Sequence, residues 1–217
     1  MNKDELKRKI IFTWDDNSCR HYRYIAPLFE KYGLRCTFYI NPGWTSFEKK
    51  FLKGYTMLSK AGFEIGSHGF THKNMTKLSS EDYLIQLVKS KQLIQQWFNQ
   101  PIQTFAFPHH EYTMDMLQLA KKYFIETRNT LQNSVRYSLK SNTSILQIKE
   151  IDITTKLHNK NLIFSGHSVA LNTFEIGNPC KAAGYEPILI ETLEKILQTL
   201  LISNSEDDFC SLLEISI

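Results

Sequence analysis

The chain has 217 residues, 42% hydrophobic and 22% charged, enough for one sizeable core in an ordinary soluble globular protein. Its 26 basic against 22 acidic residues give a net charge of +4, scattered except at Lys7-Arg8-Lys9 and Lys121-Lys122, so no nucleic-acid partner is expected. No apolar run is long enough to cross a bilayer or to form a signal peptide, and Cys19, Cys36, Cys180 and Cys210 lack C-x-x-C spacing, so a cytoplasmic protein with reduced thiols is expected.

Strand and helix signals alternate. Lys9 to Trp14 reads as a buried strand that runs abruptly into Asp15-Asp16-Asn17, and Tyr22 to Tyr32 as a helix stopped by Gly33. Arg35 to Ile40 is β-rich and broken by Asn41-Pro42-Gly43, and Phe47 to Lys60 is helical in pattern. Phe63 to Gly66 reads as a short strand, and Ser79 with Asp82 three residues on opens a helix to about Phe98. Gln103 to Pro108 reads as a strand and Thr113 to Tyr123 as a helix. Further strands are expected at Phe124 to Thr127, Leu146 to Ile153 and Asn161 to Ser165, then a helix over Pro187 to Leu201 and a terminal strand over Ser211 to Ile217. This alternation implies βα units and a parallel sheet of seven or eight strands, either a barrel or an open doubly wound sheet.

In such folds, active sites collect where the strands end. Four predicted strand ends carry Asp15-Asp16, Ser67-His68-Gly69-Phe70-Thr71-His72, Phe107-Pro108-His109-His110 and Ser165-Gly166-His167, which together hold five of the seven histidines. His68 and His72, four apart, share a face if they lie on one helical turn. Two imidazoles and one carboxylate make an open three-ligand site suited to Zn²⁺. Asp15 and Asp16 would point to opposite faces of a continuing strand, so a turn after about Trp14 is expected to bring both to the mouth.

Taken in order, Thr13-Trp14-Asp15-Asp16-Asn17, Ser67 to His72, Phe105-Ala106-Phe107-Pro108-His109-His110-Glu111-Tyr112 and Leu162 to His167 resemble the motifs of the polysaccharide deacetylases, metal-dependent carbohydrate esterases of family four. The resemblance spans about residues 9 to 215. It implies an α/β fold, a distorted barrel of about seven parallel strands, with residues 1–217 as one catalytic domain. It further implies removal of an N-acyl group from an amino sugar. Asp16, His68 and His72 then match the metal ligands, for one divalent ion, zinc before cobalt or nickel. Asp15 matches the general base and His167 the general acid. Pro108, His109, His110, Tyr112 and Trp14 are the candidates for contact with an N-acylated sugar, together with Trp44.

Several positions depart from the pattern. Asn17 stands where a Gly follows the Asp pair, and Asn tolerates unusual backbone angles. Ala106 stands where many members carry an Arg that orients the base, His109-His110 replaces an aromatic-Gly pair, and Ser168 replaces an Asp. Asp152 is a loose candidate for the fourth motif. The rivals are a hydrolase of a small non-sugar amide on the same fold and a non-catalytic carbohydrate-binding relative. Nucleophilic catalysis fits less well, because Ser165-Gly166-His167-Ser168 lacks the G-x-S-x-G elbow.

Overall fold

A computed structural model describes residues 8–44, 49–172 and 187–215 of the chain, with residues 49 and 50 as backbone only. Its strands are β1 (Ile10–Asp15), β2 (Thr37–Ile40), β3 (Glu64–Ser67), β4 (Thr104–Phe105), β5 (Glu126–Thr127), β6 (Ser134–Ser138) and β7 (Asn161–Gly166). All pair in parallel, in the order β5-β4-β3-β2-β1-β7-β6. The sheet curls into a half-barrel with helices outside. The helices are α1 (Ala26–Lys31), α2 (Lys49–Lys60), α3 (Ser80–Phe98), α4 (Met114–Ala120), α5 (Ile145–Leu157) and α6 (Ile190–Ser203). A further pair, β8 (Val169–Ala170) with β9 (Ile188–Leu189), stands apart, and β10 (Phe209–Cys210) joins the start of β1.

The two faces of β1 explain why its sequence is apolar throughout. Phe12 and Trp14 point outward into the layer between sheet and helices, with Phe29, Phe38 and Phe164. Ile11 points inward, where it meets Tyr39, Ala106 and Ile163. A strand covered on both sides reads as a continuous apolar run rather than an alternating one. At the base, the Glu64 carboxylate accepts from the hydroxyls of Thr37 (2.7 Å) and Thr104 and from the Leu213 N–H (3.1 Å), tying the C-terminal segment to β2, β3 and β4.

The ladder leaves a gap. β5 and β6 end the strand order on opposite sides, so the barrel is open along a seam between them. Along β6, Arg136 and Ser138 stand in register with the inward-facing Ile163 and Ser165, while Tyr137 turns the other way and packs against Phe164.

Two elements differ from expectation. Leu146 to Ile153 is not a strand but part of α5, opened by a capping box in which Ser144 and Gln147 satisfy each other's backbone. The strand before β7 is Ser134–Ser138, an edge strand with few apolar residues. At the C-terminus the chain adds the short β10 and a turn of 3₁₀-helix over Leu213–Ile215 in place of a strand from Ser211; residues 216–217, and the start of the expected helix at 47–48, lie outside the described residues. Arg8, expected in solvent, is buried in an ion pair with Asp152 of α5. Among the described residues no helix is long and apolar enough to cross a membrane.

Candidate active site

The site is built at the C-terminal ends of β1, β3, β4, β5 and β7. β1 ends on Asp15, and the chain then turns through a left-handed Asp16 (φ 66°) and Asn17 (φ 33°). That turn, one residue later than expected, brings both carboxylates to one side. It is held by Asn17, whose amide donates to the Asn41 carbonyl (2.8 Å) while its own oxygen accepts from the Asn41 N–H (2.9 Å). Asn is among the non-glycine residues that adopt such angles most readily, which accounts for it in place of Gly.

His68 and His72 do not lie on a helical turn. They flank a loop after β3, and their spacing of four comes from left-handed backbone at Gly69 (φ 77°) and His72 (φ 55°). Gln86 of α3 clamps this loop, its side-chain oxygen accepting from the N–H groups of Phe70 (3.0 Å) and Thr71 (2.9 Å). The His68 Nδ1–H donates to the Ala106 carbonyl (2.7 Å), which leaves the Nε2 lone pair facing the carboxylates. His68 Nε2 lies 3.7 Å from an oxygen of each aspartate, and His72 Nε2 lies 3.3 Å from Asp16 Oδ1.

Asp16, His68 and His72 present one donor atom each, all within 4.8 Å of one another. Asp16 is fully buried, yet neither oxygen has a hydrogen-bond partner. Burial, and behind it the charge of Asp15, push its carboxyl up to about 8. Burial holds His68 at about 3 and His72 at about 4, so both imidazoles are neutral and able to ligate. An orphaned buried carboxylate beside two neutral imidazoles fits a divalent cation.

Asp15 differs from its neighbour. Burial opposes its ionisation, but the charge and hydrogen bonds of the Arg128 guanidinium, with His68 and His167 adding to them, hold the carboxyl well below the usual range. Arg128, from the end of β5, donates to both Asp15 oxygens at 2.6 and 2.8 Å and to Thr13 Oγ1 at 3.1 Å. This arginine was not anticipated. It reaches Asp15 from the end of β5, the strand beside β4, where position 106 holds an alanine. The only cue in the sequence is a basic residue directly after a predicted strand.

His167 follows β7, its Nε2 3.8 Å from Asp16 Oδ2. Gly166 is needed there, because a Cβ would come within 2.6 Å of the Trp14 ring. Three contacts anchor the segment: His21 Nε2 to the His167 carbonyl (2.8 Å), Arg20 Nη1 to the Val169 carbonyl (2.7 Å), and Ser18 Oγ to Ser168 Oγ (3.4 Å). His21, fully buried, begins a turn of π-helix leading into α1, and its Nδ1 lies 2.7 Å from the Tyr55 hydroxyl. Burial lowers its pKa to about 4, so it is neutral, with Nε2–H donating to His167 and Nδ1 accepting from Tyr55.

A pocket of ≈ 350 Å³ opens over these groups, lined by Asp15, His68, His72, Phe107, His109, His110, Glu111 and His167. His109 and His110, both left-handed, line it as expected, and the His109 ring sits 4.6 Å from that of His72. The other expected substrate contacts lie outside this lining. Trp14 is fully buried in the sheet–helix layer, Pro108 is buried, and Tyr112 stacks on Phe107 outside the lining. Trp44 stacks on His72 at 5.3 Å. Asp152 lies on α5, paired with Arg8 and bonded by Ser203, and is no part of the site.

The sequence profile described as polysaccharide deacetylase matches residues 2–127, more than half of the chain. The chain belongs to the polysaccharide deacetylase family. Among curated proteins, this deacetylase-family chain is 25% identical over 139 residues to the uncharacterized protein YlxY of Bacillus subtilis, covering 64% of the chain and 41% of that protein. It spans less than half the length of the curated relatives it matches. Among solved structures it resembles a CE4 family pseudoenzyme from Bacillus anthracis, with a TM-score of 0.66 at 18% identity over 98% of this chain and 66% of that one. It also resembles the family 4 carbohydrate esterase from Streptomyces lividans in complex with acetate, with a TM-score of 0.63 at 17% identity over 94% and 91%. These likenesses establish the barrel.

Proposed function

We propose that this deacetylase-family protein is a metal-dependent hydrolase that removes an N-acetyl or other N-acyl group from an amino sugar. The carrying observation is the convergence of Asp15, His68, His72 and His167 on one pocket with Asp16 buried against them, one carboxylate ionised by an arginine and the other left to a cation. Asp16, His68 and His72 hold one divalent ion, zinc by the donor set and cobalt or nickel in its place, and that ion supplies Lewis acidity toward water and the amide carbonyl.

Asp15 accepts the proton from the attacking water, and Arg128 keeps it ionised to do so. His167, on the other side of Asp16, protonates the departing amine, which leaves poorly without a proton. The base is fixed by a bidentate pair, and the acid's backbone is fixed by His21, Arg20 and Ser18. His109 and His110 face the sugar. The bound acetate described for the Streptomyces lividans esterase is the acid that such a reaction releases, which supports the acyl chemistry.

An intracellular intermediate of surface polysaccharide synthesis is the proposed substrate. The free thiols of Cys36 and Cys210, both buried, support a reducing compartment. The test is acetate release from free, nucleotide-linked and lipid-linked N-acetyl sugars by the metal-loaded chain. Hydrolysis above a chelated control is expected. None on any of them would favour a non-catalytic role, as described for the Bacillus anthracis relative.

A further inference from the structure

The open seam beside the pocket carries two cations with no carboxylate partner among the described residues. β6 is the last strand in the sheet order, and its inward-facing residues Arg136 and Ser138 are exposed there, followed at the mouth by exposed Lys140. Their alternates pack away from the seam: Leu139 belongs to the core between sheet and helices, and Tyr137 packs against it. Among the described residues neither Arg136 nor Lys140 makes an ion pair with a carboxylate.

The seam is also wired to the pocket. Arg136 Nη1 donates to the Asn129 carbonyl (3.0 Å). The Asn129 side chain, nearly buried, accepts from the Phe107 N–H (2.8 Å) and donates to His110 Nδ1 (3.4 Å). Asn129 thus bridges β5, β6 and the loop after β4, and sets His110 as the tautomer whose Nε2–H remains a donor. Burial lowers the His110 pKa to about 4, with the charges of Arg128 and Arg136 contributing. Of the two carboxylates that line the pocket, Asp15 is paired with Arg128, and Glu111 bonds Asn74 and Thr76 on the side toward β3.

We infer that Arg136, on the inner wall of the edge strand β6 and joined to the pocket through Asn129 and His110, binds an anionic substituent of the substrate together with Lys140, two residues past the end of that strand. The class is an N-acyl amino sugar bearing a phosphate or a carboxylate. Arg136 suits either, since a guanidinium can present two parallel N–H donors to such a group. This deepens the deacetylase reading and rests on it for the acyl group, but its binding arm can be read without turnover.

The experiment is calorimetric titration of the metal-loaded protein with N-acetylglucosamine, N-acetylglucosamine 1-phosphate and N-acetylmuramic acid. At least one anionic sugar is expected to bind about tenfold more tightly than the neutral one, an advantage that shrinks as salt is raised. Which arm gains tells phosphate from carboxylate. The Arg136→Gln/Lys140→Gln variant, both sites being exposed, should keep its melting temperature and metal content yet bind anionic and neutral sugars alike. Equal binding by the parent chain overturns the inference, as does an anionic advantage that survives in the variant, because the anion would then sit on the metal. Selective binding without acetate release would leave the anion site standing and bring down the hydrolase.

Discussion

Arg128 and Asp15 meet through two N–H···O contacts of 2.6 and 2.8 Å, with both side chains buried, so the proposed base and the guanidinium form a closed pair inside the barrel. Replacing Arg128 by Met removes the charge and keeps the bulk, leaving a buried carboxylate without its counter-ion. A loss of about 3–5 kcal/mol in urea unfolding is expected, with activity falling as well. Arg128→Lys should recover only part of both, because an ammonium cannot bond two oxygens in parallel. The Arg128→Met/Asp15→Asn double variant should be more stable than Arg128→Met alone, and if it is not, the pair is not the source of the loss.

The two adjacent aspartates should separate cleanly under substitution. Asp16→Asn and His68→Ala should lower metal content measured by elemental analysis, and activity with it. Asp15→Asn should keep the ion while losing about 10²–10⁴-fold in kcat, the usual worth of a positioned proton acceptor. Metal lost from Asp15→Asn and retained by Asp16→Asn would reverse the assignments.

His21 touches no substrate, yet it donates to the carbonyl of His167 from a fully buried position. His21→Ala removes that donor and should destabilise by about 1–3 kcal/mol. It should also lower kcat with KM and metal content nearly unchanged, because the acid loses its anchor. His21→Gln, whose amide can reach the same carbonyl, should restore part of kcat. Equal kcat for the Ala and parent proteins would show that the His167 segment holds itself.

Glu64 allows a test of the barrel's base. Burial raises its pKa above the ordinary 4.5, against the hydrogen bonds from Thr104, Thr37 and Leu213 that lower it. A raised acid binds more protons folded than unfolded, so its contribution is full below 4.5 and is lost as pH climbs through the raised value. Glu64→Gln cannot titrate. Its urea midpoint relative to the parent should therefore improve from pH 4 to pH 7, and a difference independent of pH would refute the shift.

Much of this site was legible because metal chemistry concentrates rare residue types at strand ends. Asp15, Asp16, His68, His72 and His167 stand out even before the strands are paired. The parts that were not legible depend on three dimensions. Arg128 reaches Asp15 across 113 residues of sequence, and no local spacing announces such a partner. Trp14 beside the catalytic pair looked like a sugar platform, but side chains alternate along a strand and its neighbours Thr13 and Asp15 already take the inner face. Leu146 to Ile153 carries β-branched residues in near alternation, which suggested a strand; the Ser144–Gln147 capping box was the stronger, overlooked signal. β6 escaped notice because an edge strand facing a polar seam needs little apolar sequence.

The Arg128–Asp15 pair also bears on how chains of this kind are sorted. A filter that demands an arginine at position 106 would score Ala106 as a broken motif and discard the protein as inactive. The guanidinium is nonetheless delivered to the same carboxylate from the neighbouring strand. In this chain the pairing is therefore made in space, by an arginine on the strand end next to the one that carries Ala106. Whether a chain of this kind keeps the contact is answered by asking whether any arginine reaches the first aspartate, wherever along the chain it originates.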